Sequence, residues 1–170
     1  MKNLETATFG GGCFWCTEAI FKQLKGVKSV ESGYSGGNME NPSYKEVSSG
    51  QTEHSEVIQV EFDPDLISYK DLLEVFFATH DSTTLNRQGN DTGTQYRSIV
   101  LYHDEKQKKL AEKMKGGIVN SITQILPFEK FYKAEDYHQN YFGNNPENPY
   151  CSVVILPKLK KLREKFSDKL

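Results

Sequence analysis

Residues 6–18 read Thr6-Ala7-Thr8-Phe9-Gly10-Gly11-Gly12-Cys13-Phe14-Trp15-Cys16-Thr17-Glu18 and combine a strand signal, a glycine run and the start of a helical pattern. The first four residues predict a short strand that ends in a glycine run. The positions that follow show the three- and four-residue spacing of an amphipathic helix: Cys16, Ala19, Ile20 and Leu24. Cys13 is therefore expected in the first turn of a helix that follows a strand.

This placement makes Cys13 a candidate nucleophile. The first turn of a helix has unpaired backbone N–H groups and the positive end of the helix dipole, and both favour an anion. We expect a thiol there to lose its proton more easily than a free cysteine, and the thiolate is the reactive form. The glycines leave the sulfur uncrowded, and Phe14 and Trp15 would wall an apolar pocket beside it. Cys16 lies on the apolar stripe of the helix, where a cysteine more often serves as a small buried hydrophobe.

Composition limits the function classes that remain open. A chain of 170 residues with a formal charge of −2 fits one domain and gives no reason to expect a nucleic-acid partner. No apolar run approaches the roughly 20 residues that span a bilayer, so no membrane partner is expected. The amino terminus, residues 1–5, has no leader pattern. Three cysteines are too few for a disulfide framework, which favours a cytoplasmic protein.

The remaining pattern mixes strands and helices in one α+β domain over residues 1–170. Strands are predicted at 27–34, 58–62, 98–102 and 122–126, helices after Ser68 and over 104–115 and 158–166, and a helical turn near 135–141. The alternation in 58–62 predicts one buried and one solvent-facing side. Ser68 and Asp71 resemble a capping box. Residues 35–55 and 81–97 form two long aperiodic loops, and loops of that length are usually functional.

Several kinds of cysteine chemistry can be weighed from the residues alone. A cysteine hydrolase needs a histidine base, but none of the four histidines is paired with Cys13 by the sequence. A zinc site needs a second close pair of ligands besides Cys13 and Cys16, and none follows. The two cysteines do have the C-x-x-C spacing of dithiol oxidoreductases. Redox chemistry is the favoured class.

Several motifs together resemble one family, the A-type peptide methionine sulfoxide reductases. The signature Gly12-Cys13-Phe14-Trp15 is followed in order by Gly33-Tyr34-Ser35-Gly36-Gly37, Asn41-Pro42-Ser43-Tyr44, His54-Ser55-Glu56-Val57, Gln88-Gly89-Asn90-Asp91, Gly93-Thr94-Gln95-Tyr96-Arg97-Ser98 and Ala134-Glu135-Asp136-Tyr137-His138-Gln139. The similarity runs from Thr8 to about Cys151. Most of these motifs fall in the loops that have no packing pattern of their own.

The resemblance implies both a fold and an activity. The fold would be a two-layer α/β sandwich with a mixed, ferredoxin-like sheet, long catalytic loops and a coil-rich C-terminal part. The activity would be the reduction of methionine-S-sulfoxide, free or in oxidised proteins, as a repair reaction. The enzyme would bind no metal or cofactor and would be recycled by thioredoxin, or by dithiothreitol in vitro. We expect a monomer.

The resemblance also assigns roles to residues. Cys13 would attack the sulfoxide sulfur, and Glu56 would protonate its oxygen, which requires a pKa raised by apolar burial. Tyr44, Tyr96 and Asp91 would form the polar wall around that oxygen. Phe14 and Trp15 would hold the S-methyl group, because sulfur packs well on aromatic rings.

The attack would leave a sulfenic acid on Cys13, which a second thiol must convert to a disulfide. Cys151 lies where many family members have their resolving cysteine, beside a turn-rich segment expected to be mobile. Cys16, where the family usually has glycine, is closer but lies on the apolar face. We expect Cys151 to resolve the sulfenic acid and keep Cys16 as the alternative. A second departure is Glu53, where the family usually has glycine.

Two other functions remain open at this point. A general dithiol–disulfide oxidoreductase using Cys13 and Cys16 would reduce insulin or small disulfides without needing Glu56. An aromatic-rich module for oxidised or extended peptides would keep its binding after a Cys13→Ser substitution and would turn nothing over.

Overall fold

Six strands form one mixed sheet, and the strand before the glycine run lies inside it. A computed structural model describes residues 3–170, so Met1 and Lys2, part of the stretch for which no leader is expected, lie outside the described residues. The strands of the sheet are β1 (Glu5–Gly10), β2 (Val27–Ser35), β3 (Ser55–Phe62), β6 (Ile99–Tyr102), β7 (Gln124–Pro127) and β8 (Phe131–Lys133), and a separate ribbon consists of β4 (Arg87–Gln88) and β5 (Asp91–Thr92). The sheet order is β7-β6-β1-β3-β2-β8, with β6 and β7 parallel and the other neighbours antiparallel. The predicted α+β fold with a mixed sheet is confirmed.

The helices connect these strands. They are α1 (Phe14–Phe21), α2 (Tyr44–Ser48), α3 (Tyr69–Ala78), α4 (Glu105–Gly116), α5 (Tyr141–Asn144) and α6 (Leu156–Lys165). The succession β1-α1-β2-β3-α3-β6 follows the β-α-β-β-α-β pattern, with its four strands side by side in the sheet. The strands β7 and β8 extend the sheet at its two edges.

Local sequence signals explain where the helices begin and end. The Ser68 side chain accepts a hydrogen bond from the Asp71 N–H and the Asp71 carboxylate accepts one from the Ser68 N–H, so the predicted capping box is confirmed. Asp104 caps α4 by accepting from the Gln107 N–H, and that helix ends at Gly116 with Gly117 as its C-cap. Helix α1 ends at Phe21, short of the predicted Leu24.

The main core lies between the sheet and the helices, where Phe9 of β1 stacks on Phe76 of α3 at 5.0 Å. The opposite side of the sheet has a smaller buried cluster of Val57, Ile99 and Leu101, packed against Phe128 and Phe131. Over the predicted range 58–62 the alternation is confirmed, because Gln59 and Glu61 are at least partly exposed between buried neighbours. Val57, just before that range, lies on the same side as Gln59 but is covered by the chain around β7 and β8.

The two aperiodic loops contain short elements that the sequence did not reveal. Residues 35–55 include α2, and residues 81–97 include the β4–β5 ribbon and a 3₁₀ turn, Thr94–Tyr96. Strand β8 was also missed. The segment around Cys151 differs most from the expectation of a mobile tail: Cys151 begins a π-helical segment, Cys151–Ile155, that continues into α6, and its side chain is fully buried.

Candidate active site

Cys13 lies at the junction between β1 and α1. It is the residue immediately before the helix, with φ −65° and ψ 130°, so its side chain is placed at the helix N-terminus as predicted. The preceding Gly12 has φ +89°, a left-handed conformation that favours glycine, and its N–H donates to the Tyr96 carbonyl over 3.2 Å. The end of β1 is thus joined to the loop that carries Tyr96.

Glu56 is buried directly beside this helix N-terminus. Phe9 of β1 is paired with Ile58 of β3, so Glu56, two residues earlier on the antiparallel strand, lies next to the glycine run. Its side chain is only 2% exposed, and Oε1 accepts a 3.1 Å hydrogen bond from the Phe14 N–H. Burial raises the pKa of Glu56 to about 8, against the lowering effect of the Phe14 N–H and with a smaller contribution from the Asp91 charge. At neutral pH this carboxyl group holds a proton, as a general acid must.

The pKa of the Cys13 thiol is raised, whereas the sequence analysis expected it to be lowered. Burial raises this pKa well above that of a free cysteine, and the charges of Glu56, Cys16 and Asp91 raise it further. The hydrogen bond from the Trp15 N–H opposes this shift but is the smaller effect. The prediction of an easily ionised thiol is therefore wrong: the loss of water outweighs the helix N-terminus. The resting site contains a thiol beside a carboxylic acid.

Two tyrosines interact electrostatically with both Cys13 and Glu56. Tyr44 is the first residue of α2, and Tyr96 ends the 3₁₀ turn after β5. Burial raises the pKa of both phenols, with the Glu56 charge as the next cause, and Cys13 adds to the shift at both. Both hydroxyl groups therefore stay protonated at neutral pH and can donate hydrogen bonds.

Asp91, on β5, lies near the same groups but is held by a residue that the sequence analysis missed. Its charge raises the pKa values of Cys13, Glu56 and Tyr96. Its Oδ2 atom accepts a 2.8 Å hydrogen bond from the hydroxyl of Tyr150. The only sequence signal for Tyr150 was its position next to Cys151.

The two aromatic residues after Cys13 have different environments. Trp15 is half-buried and stacks on Tyr141 at 3.6 Å and 5°, while its Nε1–H donates to Nδ1 of His138 over 3.0 Å. Phe14 is fully buried, with its ring 5.7 Å from Tyr34 and 5.1 Å from His138. Of this pair, Trp15 is the ring with an open surface, and Phe14 packs behind it.

A family model described as peptide methionine sulfoxide reductase matches residues 5–170. The chain belongs to this family. It is 56% identical to the peptide methionine sulfoxide reductase MsrA of Sulfolobus acidocaldarius, over 98% of this chain and 97% of that protein. It is 50% identical to the MsrA of Trichodesmium erythraeum, over 98% of each. The chain is accordingly an oxidoreductase that reduces methionine sulfoxide with a thiol.

Solved structures support the same fold. The reduced form of Mxr1 from Saccharomyces cerevisiae superposes with a TM-score of 0.80 at 35% identity, covering 87% of this chain and 89% of that one. For Mxr1 in complex with Trx2 the TM-score is 0.56 at 26% identity, covering 81% and 84%. This structure is more similar to the reduced form than to the complexed form.

The three cysteines of this methionine sulfoxide reductase lie on the α1 side of the site. All three are free; Cys16 and Cys151 are buried, and Cys13 is half-buried. Cys16 contributes to the raised pKa of Cys13, and Cys151 contributes to that of Cys16. Cys16 is therefore electrostatically coupled to each of the other two thiols.

Glu135 belongs to one of the family motifs, but the sequence analysis gave it no role. Its Oε1 accepts from the Tyr34 hydroxyl over 2.9 Å, and its Oε2 accepts from the Tyr44 N–H over 3.0 Å. The carboxylate thus holds the first turn of α2 and fixes where Tyr44 enters the site.

Within residues 3–170, no group of three or more His, Cys, Asp and Glu side chains is arranged to hold a metal ion. Over the same residues, none of the helices combines the length and apolar character needed to cross a membrane.

Proposed function

We propose that this reductase acts on the S epimer of methionine sulfoxide, with Cys13 as the nucleophile and Glu56 as the proton donor. The observation that carries the proposal is the buried Glu56 carboxyl, whose pKa of about 8 keeps it protonated beside Cys13 at neutral pH. A sulfoxide is a poor electrophile, and protonation of its oxygen makes the sulfur open to attack.

The reductive step begins with hydrogen bonds from Glu56, Tyr44 and Tyr96 to the sulfoxide oxygen. Glu56 transfers its proton to that oxygen while Cys13 attacks the sulfur, and the thiol proton returns to Glu56. The S–S bond formed by the attack breaks as the hydroxyl group moves to Cys13, so that the S–O bond of the substrate is lost and an S–O bond to Cys13 forms. Methionine sulfur gains two electrons, and Cys13 is oxidised from a thiol to a sulfenic acid.

The epimer follows from three contacts to the sulfoxide centre. The oxygen is directed at the polar wall of Tyr44, Tyr96 and Asp91, the sulfur at Cys13, and the S-methyl group at Trp15 with Phe14 behind it. A chiral centre held at three points fits one epimer, because exchange of oxygen and methyl would put a polar atom on the indole. We propose that methionine sulfoxide is accepted both free and in oxidised proteins.

We further propose that thioredoxin regenerates the enzyme by reducing an intramolecular disulfide that involves Cys151, with dithiothreitol able to replace thioredoxin in vitro. The Trx2 complex of Mxr1 supports a thioredoxin-type partner. The chemistry uses cysteine alone, so no bound metal or cofactor is required. A cytoplasmic location and a monomeric state stay predictions.

The test compares the wild type with Cys13→Ser on separate epimers of a blocked methionine sulfoxide. We expect one methionine per enzyme from the S epimer in a single turnover of the wild type, none from the variant, and none from the R epimer with either protein. Equal yields from the two epimers would contradict the proposal. Insulin reduction that survives Glu56→Gln would favour the dithiol oxidoreductase instead, and substrate binding without turnover would favour the binding module.

A further inference from the structure

We propose that Tyr150 accepts the proton of the Cys16 thiol as Cys16 attacks the sulfenic acid of Cys13, so that the first disulfide is Cys13–Cys16. The inference rests on the proposed function, which supplies the sulfenic acid. It makes Tyr150 a catalytic residue of the second step and gives Cys16 a role that its apolar surroundings do not suggest.

The direction of two hydrogen bonds carries the inference. The Tyr150 hydroxyl has a single hydrogen, and it donates that hydrogen to Oδ2 of Asp91 over 2.8 Å. The same oxygen is 3.5 Å from Sγ of Cys16. Since the phenol hydrogen is already used, the Cys16 S–H must be the donor in that contact. The three residues form a directed chain from the thiol, through the phenol, to a carboxylate next to Cys13.

The helix geometry allows the disulfide. Cys13 precedes α1 and Cys16 is its third residue, with a 3.1 Å hydrogen bond from the Cys16 N–H to the Cys13 carbonyl. Side chains three positions apart at a helix start lie roughly 5–6 Å apart at Cβ. Because Cys13 precedes the helix, a small backbone shift at this residue brings the two Cβ atoms to the roughly 4 Å separation that a disulfide spans.

The surroundings of Cys16 explain why it needs a proton acceptor. Burial raises the pKa of this thiol, and the Lys158 charge counteracts only part of that shift. The Tyr150 hydroxyl also opposes the shift, because it can turn and donate to the sulfur once the thiol has lost its proton. A buried thiol of this kind reacts slowly unless its proton is removed during the attack. Tyr150 is in direct contact with the sulfur and is connected to a carboxylate that takes the proton onward.

The step balances without an external oxidant or reductant. The Cys16 proton moves to Tyr150, and the phenol proton moves to Asp91. The Cys16 sulfur attacks the Cys13 sulfur, the S–O bond of the sulfenic acid breaks, and the departing hydroxide takes the proton from Asp91 to leave as water. Each sulfur ends in the disulfide state, Cys16 oxidised by one electron and Cys13 reduced by one.

Cys151 then forms the second disulfide of the catalytic cycle, with Cys16. Its thiol loses its proton as the sulfur attacks Cys16 of the Cys13–Cys16 disulfide. The Cys13–Cys16 bond breaks, the released Cys13 sulfur takes up that proton, and the Cys16–Cys151 disulfide is left for thioredoxin. Its proximity to Cys16 is shown by their electrostatic coupling, and its place next to Tyr150 in the chain connects it to the same residues.

The test uses a Cys151→Ser background, one equivalent of methionine-S-sulfoxide, rapid alkylation and mass spectrometry, with dimedone trapping to time the sulfenic acid. We expect a Cys13–Cys16 disulfide to form. Adding Tyr150→Phe should lengthen the sulfenic acid lifetime at pH 7 at least tenfold. The gap between the lifetimes with and without this substitution should shrink at higher pH, because Cys16 then ionises without help from Tyr150. A gap independent of pH would indicate only a structural role and would overturn the proposal. So would a persistent sulfenic acid in Cys151→Ser alone.

Two controls keep the result interpretable. Tyr102→Phe, at the far end of β6, is the matched tyrosine control and should not alter the lifetime. If Tyr150→Phe does not fold, Asp91→Asn removes the end of the same chain and should give the same pH-dependent delay; no delay would overturn the proposal. Methionine yield is recorded in every variant, because loss of methionine marks a failure of the reductive step rather than of this one.

Discussion

The backbone N–H of Phe14 donates a 3.1 Å hydrogen bond to Oε1 of Glu56. This bond satisfies one of the N–H groups left unpaired at the start of α1, and it fixes the carboxyl group next to the residue that begins the helix. The same bond favours the ionised carboxylate, yet burial outweighs it and keeps the pKa of Glu56 at about 8. One contact therefore positions both the nucleophile and the acid.

Replacing Glu56 by glutamine separates its structural role, accepting the Phe14 N–H hydrogen bond, from its role as proton donor. Glutamine retains an oxygen that accepts from the Phe14 N–H but has no acidic proton. We expect Glu56→Gln to fold normally and to release methionine roughly 10²- to 10⁴-fold more slowly in a single turnover, the range of a lost general acid. Glu61→Gln, on the exposed end of the same strand, is the matched control. A variant that reacts at the wild-type rate would remove the proton-donor role from Glu56.

The same variant should change how stability depends on pH. The folded-state pKa of Glu56 is about 8, above the ordinary value of 4.5, so the folded state binds this proton more tightly. Its contribution to stability is fully present below about pH 4.5 and is lost as pH rises to about 8. We expect urea denaturation to show wild-type stability falling through this window, with a smaller fall for Glu56→Gln. Parallel curves for the two proteins would show that the carboxyl is not buried in its neutral form.

The sequence predicted the position of Cys13 because the strand, the glycine run and the helix period are all local signals. The capping box at Ser68 was equally local, and it was correct. Local sequence patterns do not show which distant segment of the chain packs over a given strand or helix. The cluster on the far side of the sheet, for example, depends on Phe128 and Phe131, which are distant from β3 in the chain.

The same limit explains the errors and omissions at the site. The raised pKa of Cys13 results from burial and from Glu56, which lies on another strand. Tyr150 was missed because its contacts with Asp91 and Cys16 join residues 59 and 134 positions apart. Without the family motifs, Glu56 would have looked like an ordinary strand glutamate. With them, its burial could be stated in advance as a chemical requirement.

The two phenols of the polar wall should each contribute to the reductive step. Removing one preorganised donor from a charge that develops in the transition state costs about 10²-fold or more. We expect Tyr44→Phe and Tyr96→Phe to lower kcat/KM for free methionine-S-sulfoxide by about that factor each, measured with dithiothreitol as reductant. Tyr132→Phe, in which the ring packs on His54, is the matched control. Full activity in both site variants would mean that the sulfoxide oxygen is not directed at this wall.

Cys151 should matter for recycling and not for the reductive step. We expect Cys151→Ser to keep its turnover with dithiothreitol, because a small dithiol can reduce the oxidised Cys13 directly. Turnover with thioredoxin should fall to near the background rate, since the disulfide that thioredoxin reduces cannot form. The measurement is steady-state methionine production with each reductant in turn. If Cys16→Ser loses thioredoxin turnover while Cys151→Ser retains it, the assignment of Cys151 is wrong.

The left-handed backbone conformation of Glu53 leads to a prediction about stability. Five described residues other than glycine have positive φ; four are asparagines, and Glu53, at φ +61°, is the exception. A residue with a Cβ atom is disfavoured in this left-handed conformation by roughly 1–2 kcal/mol, and glycine is not. Glu53→Gly should therefore raise the free energy of unfolding by about 1 kcal/mol.

The side chain of Glu53 also accepts a 2.7 Å hydrogen bond from Nδ2 of Asn38, so the backbone effect needs its own control. Glu53→Ala loses that bond but keeps a Cβ atom in the left-handed conformation, and we expect no gain from it. The bond is exposed to solvent and contributes little net stability. Urea denaturation of the three proteins at one pH measures both effects. A glycine variant no more stable than the alanine variant would show that the backbone at this position is not strained.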